Sequence, residues 1–257
     1  MKKTALITGS TSGIGLAIAT AFAGAGYNIV FHGLEEDGPE RSRAIAERYG
    51  VGHLCFRTDL RDPGAIRQMS EESLRCFGTV DILVNNAGTQ FVSPVEDFPE
   101  EKWDELISVH LNAAFHLSKA FFPSMKKASF GRIINIASAH GLIASPYKSA
   151  YVAAKHGITG LTKTLAMEGG AFGITANAIC PGYVLTPLVE SQIPRQMEVH
   201  GLSRNEVIEK VFLKEHAVKE FVTPEAVAAL ALFLTDSPAA RFITGAAIPI
   251  DAGWSAH

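Results

Sequence analysis

Cysteines are few in this sequence, and long apolar runs are absent. The three cysteines, Cys55, Cys76 and Cys180, form no C-x-x-C pair among 257 residues. An odd number without that spacing suits neither a disulfide framework nor a metal site, so we interpret them as small core residues in a reducing compartment. No stretch approaches the roughly 20 apolar residues of a membrane-spanning helix. These absences predict a cytoplasmic protein without a bound metal or a membrane partner.

An excess of charge of one sign is also lacking. The formal net charge is −3, with 23 lysines and arginines against 26 aspartates and glutamates. No basic block stands out, which argues against a nucleic-acid partner. With 47% apolar residues, the chain can bury the core of one α/β domain, and no repeat or linker divides it. Residues 1–257 are therefore expected to form a single domain.

A glycine-rich turn stands near the start of the chain. Residues 8–15 read TGSTSGIG, between a short apolar run and small or apolar residues at helical spacing. This order predicts a strand, a phosphate-binding loop and a helix. Gly9 permits the tight turn, while Gly13 and Gly15 let the backbone approach a pyrophosphate. A glycine-rich turn without a ligand is the alternative.

A second motif, SAYVAAKHG, places Tyr151 and Lys155 four residues apart. On a helix the two lie on one face, and an ammonium beside a phenol lowers the pKa of the phenol. A tyrosine that ionises near neutral pH is a general base for an alcohol. Ser138, at the end of the apolar run GRIINIAS, could hydrogen-bond the same oxygen. Such pairs also occur on solvated helices, so the motif indicates a catalytic site only in combination with the glycine-rich turn.

Together with NNAG at residues 85–88 and a Pro-Gly pair at 181–182, these motifs resemble the short-chain dehydrogenase/reductase family. They occur in the order of the family and cover nearly the whole chain. The resemblance implies a Rossmann fold, a nicotinamide dinucleotide cofactor and the catalytic residues Ser138, Tyr151 and Lys155. The implied cofactor-binding residues are Gly9, Thr11, Ser12, Gly13, Ile14, Gly15, Leu34, Asp59, Leu60, Asn86, Ala87, Gly88, Tyr151, Lys155, Pro181, Gly182, Val184 and Thr186. Asp59 has a competing interpretation as a capping or loop carboxylate, and Asn85 as a brace of the sheet.

The family mechanism assigns a role to each catalytic residue. Lys155 binds the nicotinamide ribose, Tyr151 takes the hydroxyl proton of the substrate, and Ser138 orients that hydroxyl. One position departs from the family pattern, because His110 stands where an asparagine usually assists the lysine through a water molecule. His110 could join that relay by titrating near neutral pH. We favour the interpretation that it is a tolerated replacement.

Short apolar runs alternate with helical patterns, which predicts an α/β fold with a doubly wound parallel sheet. Strands are expected at 3–8, 28–32, 52–56, 80–84, 131–137, 174–180 and 246–250. Two Pro-containing signals, at 62–63 and 223–224, predict helix starts. Residues 186–222 are charged, have a helical pattern and lack a strand. Because they follow a strand end, we interpret them as a lid over the substrate; a surface excursion for oligomer packing is the alternative.

The end of the second predicted strand bears on the choice of dinucleotide. Residues 30–36 read VFHGLEE, so no cation is ready to pair with a 2′-phosphate, and two glutamates would repel one. The usual aspartate for the ribose is also missing. NAD is therefore favoured mainly by exclusion. Glu35 and Glu36 themselves are interpreted as a solvated helix start.

Four polar residues near the catalytic positions could bind a small carboxylate: Gln90, His140, Lys148 and Gln192. They offer a cation, an imidazole and two amides, although each alone could be an ordinary surface or loop residue. With the segments EDFPEEKWD and NAICPGYVLTPLVE, they resemble the D-3-hydroxybutyrate dehydrogenase subfamily. That resemblance implies reversible, NAD-dependent oxidation of D-3-hydroxybutyrate to acetoacetate. Ser138 and Tyr151 would complete the substrate site.

Apolar residues are expected to enclose the short substrate. Tyr183 and Leu188 would form walls, and Trp254 could close the pocket of its own or a neighbouring subunit. Core packing is the alternative for Trp254. Apolar helix faces around 103–122 and 150–167, together with the family resemblance, predict a homotetramer.

Two other functions remain compatible with the sequence. A 3-ketoacyl reductase or a polyol dehydrogenase of the same family would share every cofactor motif, although a ketoacyl reductase should show cations for NADP. A dinucleotide-sensing scaffold without turnover is disfavoured, because Ser138, Tyr151 and Lys155 are all present.

Overall fold

The computed structural model describes residues 2–256, apart from the side chain of Leu188. Within that part of the chain, seven parallel strands form one sheet. The strands are β1 (Thr4–Ile7), β2 (Asn28–His32), β3 (His53–Phe56), β4 (Ile82–Asn85), β5 (Gly131–Ile136), β6 (Ile174–Pro181) and β7 (Ala247–Ile250). Their order, β3-β2-β1-β4-β5-β6-β7, confirms the predicted doubly wound α/β fold. From β1 the strands are added on one side of the sheet as far as β3, and from β4 onward they are added on the other side. Such folds bind ligands between the two halves, at the carboxyl ends of the strands.

Helices cover both faces of the sheet. They are α1 (Gly13–Gly24), α2 (Gly38–Tyr49), α3 (Pro63–Phe77), α4 (Glu100–Ile107), α5 (Ala113–Ala128), α6 (Ser149–Gly169), α7 (Pro187–Glu190), α8 (Ile193–His200), α9 (Arg204–Val207) and α10 (Pro224–Asp236). Successive strand residues point to opposite faces. Ala5 and Ile7 therefore join the core under α1 and α10, while Leu6 joins the core under α3 and α5.

The two predicted helix starts are confirmed by their caps. The Asp62 carboxylate accepts a hydrogen bond from the Gly64 amide at 2.7 Å, and the Thr223 hydroxyl accepts one from the Ala226 amide at 3.1 Å. In each helix proline occupies the first turn, where its missing N–H costs no hydrogen bond. These caps set where α3 and α10 begin.

The segment 186–222 is helical as far as Phe212, with α7, α8, α9 and a π-helical turn at Ile208–Phe212, and residues 213–222 are irregular. Its apolar side chains form a separate small core around Ile193, Val207 and Phe212. Leu188 was expected to wall the pocket, but its side chain lies outside the described residues. The action of this segment as a lid stays a prediction. No helix among residues 2–256 combines the length and the apolar character needed to cross a bilayer.

Candidate active site

A pocket with a volume of about 170 Å³ opens at the carboxyl ends of β4, β5 and β6. It contains most of the residues expected at the reaction centre. Its lining comprises Ile14, Asn86, Gly88, Thr89, Gln90, His110, Ile136, Ala137, Ser138, His140, Lys148, Tyr151, Lys155, Pro181, Gly182, Tyr183, Val184, Thr186, Val189, Gln192 and Trp254. Residues that are distant in sequence are thus gathered by the parallel sheet and the helices that follow its strands.

Lys155 is buried on α6, one turn after Tyr151. Its Nζ lies 5.5 Å from the centre of the Tyr151 ring and donates to the carbonyl oxygen of Ile136 at 2.7 Å. Burial lowers the pKa of Lys155 to about 8. The carbonyl oxygen at the end of β5 therefore holds the ammonium beneath the pocket.

The state of Tyr151 differs from the sequence-based expectation. Burial raises the pKa of Tyr151 above its ordinary value, and a hydrogen bond with Ser138 opposes this only in part. The lowering of this pKa expected from Lys155 is not found, because desolvation of the phenolate dominates. A positive charge bound near the phenol would favour its ionised form.

His110 lies in a π-helical turn, Ser108–Asn112, between α4 and α5. Its Nε2 is 2.7 Å from the Thr89 carbonyl oxygen and 3.2 Å from the Thr89 amide. The shorter contact favours a proton on Nε2, which donates to Thr89. The ring meets that of Tyr151 edge to face, with 5.2 Å between centres. His110 thus ties the loop after β4 to the helix beside the reaction centre.

His110 does not titrate near neutral pH, which was the alternative expectation. Burial and then the charge of Lys155 lower the pKa of His110 to about 3. Its Nδ1 is buried without a hydrogen-bond partner. The residue His110 borders a cavity of about 10 Å³ that Lys155 and Asn85 also line. His110 is therefore a neutral group next to the lysine.

The side chains expected to bind the substrate all line the pocket, and Ser138, His140 and Lys148 form one wall of it. The Ser138 Oγ accepts from the His140 amide at 3.1 Å, and the Nε2 of His140 is 2.8 Å from the Ser145 hydroxyl. Burial, followed by the charge of Lys148, lowers the pKa of His140 to about 3. Burial also lowers the pKa of Lys148. The wall thus offers a cation and a neutral imidazole to an anion.

An aromatic stack forms the neighbouring wall. The rings of Tyr183 and Trp254 are parallel to within 11°, with centres 5.1 Å apart, and Trp254 meets His140 edge to face at 5.0 Å. The Lys148 ammonium lies 5.7 Å from the centre of the Tyr183 ring. Trp254 therefore encloses the pocket of its own chain.

Comparison with known proteins agrees with this arrangement. A family model described as Enoyl-(Acyl carrier protein) reductase matches residues 9–255. The chain is 53% identical to the D-beta-hydroxybutyrate dehydrogenase of Rhizobium meliloti, over 100% of each protein. It is 46% identical to the protein of the same name from Cupriavidus necator, over 99% of this chain and 98% of that protein. It is also 37% identical to the short chain dehydrogenase/reductase astE of Aspergillus oryzae, over 98% of this chain and 95% of that protein.

The chain belongs to the short-chain dehydrogenase/reductase family. It is accordingly an oxidoreductase of that family, with a nicotinamide dinucleotide as cofactor and a small molecule as substrate. Within residues 2–256, no group of three or more histidine, cysteine or acidic side chains is placed to hold a metal ion.

The glycine-rich turn of this short-chain dehydrogenase/reductase fits a dinucleotide. Gly9 and Gly13 have φ angles of +62° and +52°, which side-chain-bearing residues rarely adopt. A Cβ at Gly15 would collide with the Gly9 carbonyl oxygen. Ser12 makes no side-chain cap with α1, so its hydroxyl does not occupy the first-turn amides, which are the groups that bind phosphate at a helix start. Asn86 holds the turn, since its Nδ2 donates to the Thr8 carbonyl oxygen at 2.9 Å.

Some of the predicted cofactor residues lie away from the pocket. Leu60 is buried and, with Ala87, lines the small cavity behind Lys155, whereas Leu34 is exposed. Asp59 accepts from the Arg61 guanidinium at 2.7 Å on the surface, so an adenine amine would compete with that arginine. Their contacts with the cofactor stay predictions. Asn85 braces the sheet, since its Nδ2 donates to the Asn135 Oδ1 at 2.8 Å.

Glu35 corrects the interpretation of a solvated helix start. Helix α2 begins only at Gly38. The Glu35 carboxylate accepts hydrogen bonds from Thr11 and, at 2.6 Å, from Ser12. Burial alone would raise the pKa of Glu35, but these two bonds, together with backbone hydrogen bonds at Glu35 and Leu34, hold the pKa below its ordinary value. The run of two glutamates at a strand end was the signal in the sequence, but nothing in it separated Glu35 from exposed Glu36.

Proposed function

We propose that this enzyme oxidises D-3-hydroxybutyrate reversibly to acetoacetate and uses NAD. The observation that carries the proposal is the pocket wall on which His140 and Lys148 lie beside Ser138 and Tyr151. A cation and hydrogen-bonding groups near a catalytic tyrosine suit a hydroxy acid better than a neutral alcohol. The names of the two relatives with 53% and 46% identity support the same substrate.

The carboxylate would be held by charge. Burial lowers the pKa of Lys148, and an incoming anion would raise it again and so stabilise the ammonium form. Gln90 and Gln192 reach the same pocket and supply amide donors. His140 would contribute its ring edge, in competition with its present contact with Ser145.

The chain's own residues would then move the proton. Ser138 donates to the substrate oxygen and fixes its distance from Tyr151, whose phenolate oxygen takes the hydroxyl proton as a general base. Lys155 would hold the nicotinamide ribose and keep its positive charge beneath the phenol. The bound dinucleotide supplies the hydride acceptor and a positive ring. That positive ring would favour the phenolate of Tyr151.

NAD rather than NADP is proposed on account of Glu35. Its carboxylate accepts hydrogen bonds from the hydroxyls of Thr11 and Ser12. These groups lie near the strand end where the adenosine ribose binds in such folds. A carboxylate there accepts from a ribose hydroxyl and repels a 2′-phosphate. The nearby Arg41 donates to the Thr11 carbonyl oxygen and to Asp37, so its guanidinium already has acceptors.

Assembly as a homotetramer and a cytoplasmic location are further parts of the proposal. Trp103 and Phe115 are exposed on α4 and α5, and Met167 is 85% exposed on α6. Large exposed apolar side chains on adjacent helices favour an interface with another protein chain, which would remove them from water. A second copy of the chain is the partner that the family resemblance implies, and sedimentation of the purified protein would measure it.

Initial rates with purified protein test the substrate and the cofactor together. We expect reduction of NAD with D-3-hydroxybutyrate, and little with the L enantiomer, with NADP or with polyols. The methyl ester of D-3-hydroxybutyrate keeps the reacting hydroxyl and removes the charge, so it should be a poor substrate. Equal rates with the acid and the ester would contradict the carboxylate site, and efficient turnover of a polyol would favour the alternative function.

A further inference from the structure

We propose that His32 is a positioning residue for the cofactor, because its neutral imidazole ties the phosphate-binding loop to the end of β3. Protonation of this ring would release the loop and weaken dinucleotide binding in acid. The inference rests on the proposed dinucleotide site at residues 9–15, and it adds a loss of dinucleotide binding in acid.

The imidazole of His32 is buried at the carboxyl end of β2 and uses both ring nitrogens. Nδ1 accepts from the Gly9 amide at 3.1 Å. Since Nδ1 accepts, the proton of the neutral ring lies on Nε2, which is 2.8 Å from the Thr58 carbonyl oxygen and donates to it. One side chain thereby joins the start of the loop to the segment just before Asp59.

The backbone of His32 strengthens the same connection. Its carbonyl oxygen accepts from the Ser10 amide at 2.7 Å, and its amide donates to the Ser10 hydroxyl at 3.0 Å. Gly9 and Ser10 are thus both held by one residue of β2. The direction in which the loop amides point depends on His32.

A second proton on His32 would break this arrangement. An imidazolium carries N–H groups on both nitrogens, so Nδ1–H would face the Gly9 N–H, and two donors would meet without an acceptor. A buried donor that loses its acceptor is costly. The loop would have to move away from His32, and with it the amides offered to the pyrophosphate.

Few charges surround the ring. Burial lowers the pKa of His32, while the Thr58 oxygen and the charge of Glu35 act in the opposite direction. Glu35 faces it from the segment after β2. At the end of β3, Asp59 is paired with Arg61, and Arg57 donates to the Leu34 oxygen at 3.0 Å. Loop residues 9–13 carry no charged side chain. Glu35 is therefore the main competing titratable group.

Binding of ADP-ribose, followed by calorimetry between pH 4.5 and 8 at constant ionic strength, tests the inference. This probe lacks the nicotinamide, so Tyr151 has no ring beside it and turnover is impossible. We expect the affinity of the unaltered protein to fall in acid. The His32→Asn protein, whose amide stays neutral, should bind about tenfold more weakly at pH 8 and lose that acid dependence. At saturating NAD, its kcat should stay within about twofold.

Two further variants separate His32 from its surroundings. His53→Asn changes a histidine at the opposite end of the neighbouring strand β3 and should retain both affinity and acid dependence. Glu35→Gln removes the competing titration and should retain the acid dependence. Melting temperatures at each pH distinguish loss of the loop from loss of the fold.

The inference is overturned if His32→Asn binds ADP-ribose as the unaltered protein does, or if the acid dependence survives in that variant. If His32→Asn does not fold, a pH-independent affinity of the unaltered protein overturns it and an acid dependence retained in Glu35→Gln supports it. Absence of any ADP-ribose or NADH binding by the unaltered protein would defeat the proposed function as well, whereas binding without acid dependence defeats only the role of His32.

Discussion

The ammonium of Lys155 lies 5.5 Å from the centre of the Tyr151 ring, and its hydrogen bond goes to the Ile136 carbonyl oxygen. The pair is therefore assembled, yet burial still raises the pKa of Tyr151. Desolvation of the phenolate thus opposes its ionisation even with the lysine adjacent, and a cation bound near the ring would favour it.

Tyr151→Phe tests this assignment. The variant keeps the ring contacts with His110 and His140 but loses the oxygen that takes the proton, so we expect kcat to fall by about 10²- to 10⁴-fold. Affinity for NADH, measured by fluorescence, should change little. Tyr147→Phe is the matched control, because Tyr147 is exposed at the start of the same helix region. Turnover that survives in Tyr151→Phe would refute the role of the phenol.

Lys148→Met tests the carboxylate site. Removing the cation should lower kcat/KM for D-3-hydroxybutyrate by about 10- to 100-fold, since a hydrogen bond to a charged group contributes about 1.5–3 kcal/mol. The rate with the methyl ester should be almost unchanged. Lys163→Met, an exposed lysine on the same helix α6, should behave as the unaltered enzyme. An equal loss for acid and ester would assign Lys148 to folding or chemistry instead.

Glu35→Gln tests the selection of NAD. The substitution removes the charge that would repel a 2′-phosphate, so the ratio of kcat/KM for NAD to that for NADP should fall by about tenfold or more. Glu36→Gln changes the exposed neighbour and should leave the ratio as it was. The selection of NAD would need another explanation if both variants kept the original ratio.

The stability of the protein should depend on pH through two buried histidines. The pKa values of His110 and His140 are lowered to about 3, whereas an unfolded histidine titrates near 6.5. The unfolded chain thus binds more protons between these values, and the free energy of unfolding should fall as pH drops from about 6.5 towards 3. Each group contributes a slope of about 1.4 kcal/mol per pH unit in that window.

Denaturant unfolding of His110→Phe at several pH values measures this effect. The variant should show a shallower dependence on pH than the unaltered protein, by one proton. His200→Gln, which alters an exposed histidine, is the control. An unchanged slope in His110→Phe would mean that His110 titrates in the folded protein at the same pH as in the unfolded chain.

Local sequence was enough to predict much of the fold. Every expected strand is present, because apolar runs bounded by glycine and proline leave few alternatives to buried parallel strands. Helix starts at Asp62 and Thr223 follow from capping chemistry within four residues. The gathering of Ser138, Tyr151 and Lys155 followed from recognisable spacing.

Other features depend on residues that meet only in the folded chain. The hydrogen bonds of Glu35 join the segment after β2 to a loop more than 20 residues earlier, so a solvated interpretation was reasonable from the sequence. The role of His32 likewise depends on Gly9 and Thr58. Trp254 and Tyr183 form one wall although 70 residues separate them.

The sequence by itself determined the alternation of strands and helices, the glycine-rich turn and the spacing of Tyr151 and Lys155, because these depend on local periodicity, backbone freedom and short spacing. Only the tertiary structure decided in which direction the pKa values of the buried groups are shifted. Burial governs the pKa values of Tyr151, Lys155 and His110, and burial follows from the packing of distant segments, which no local pattern encodes.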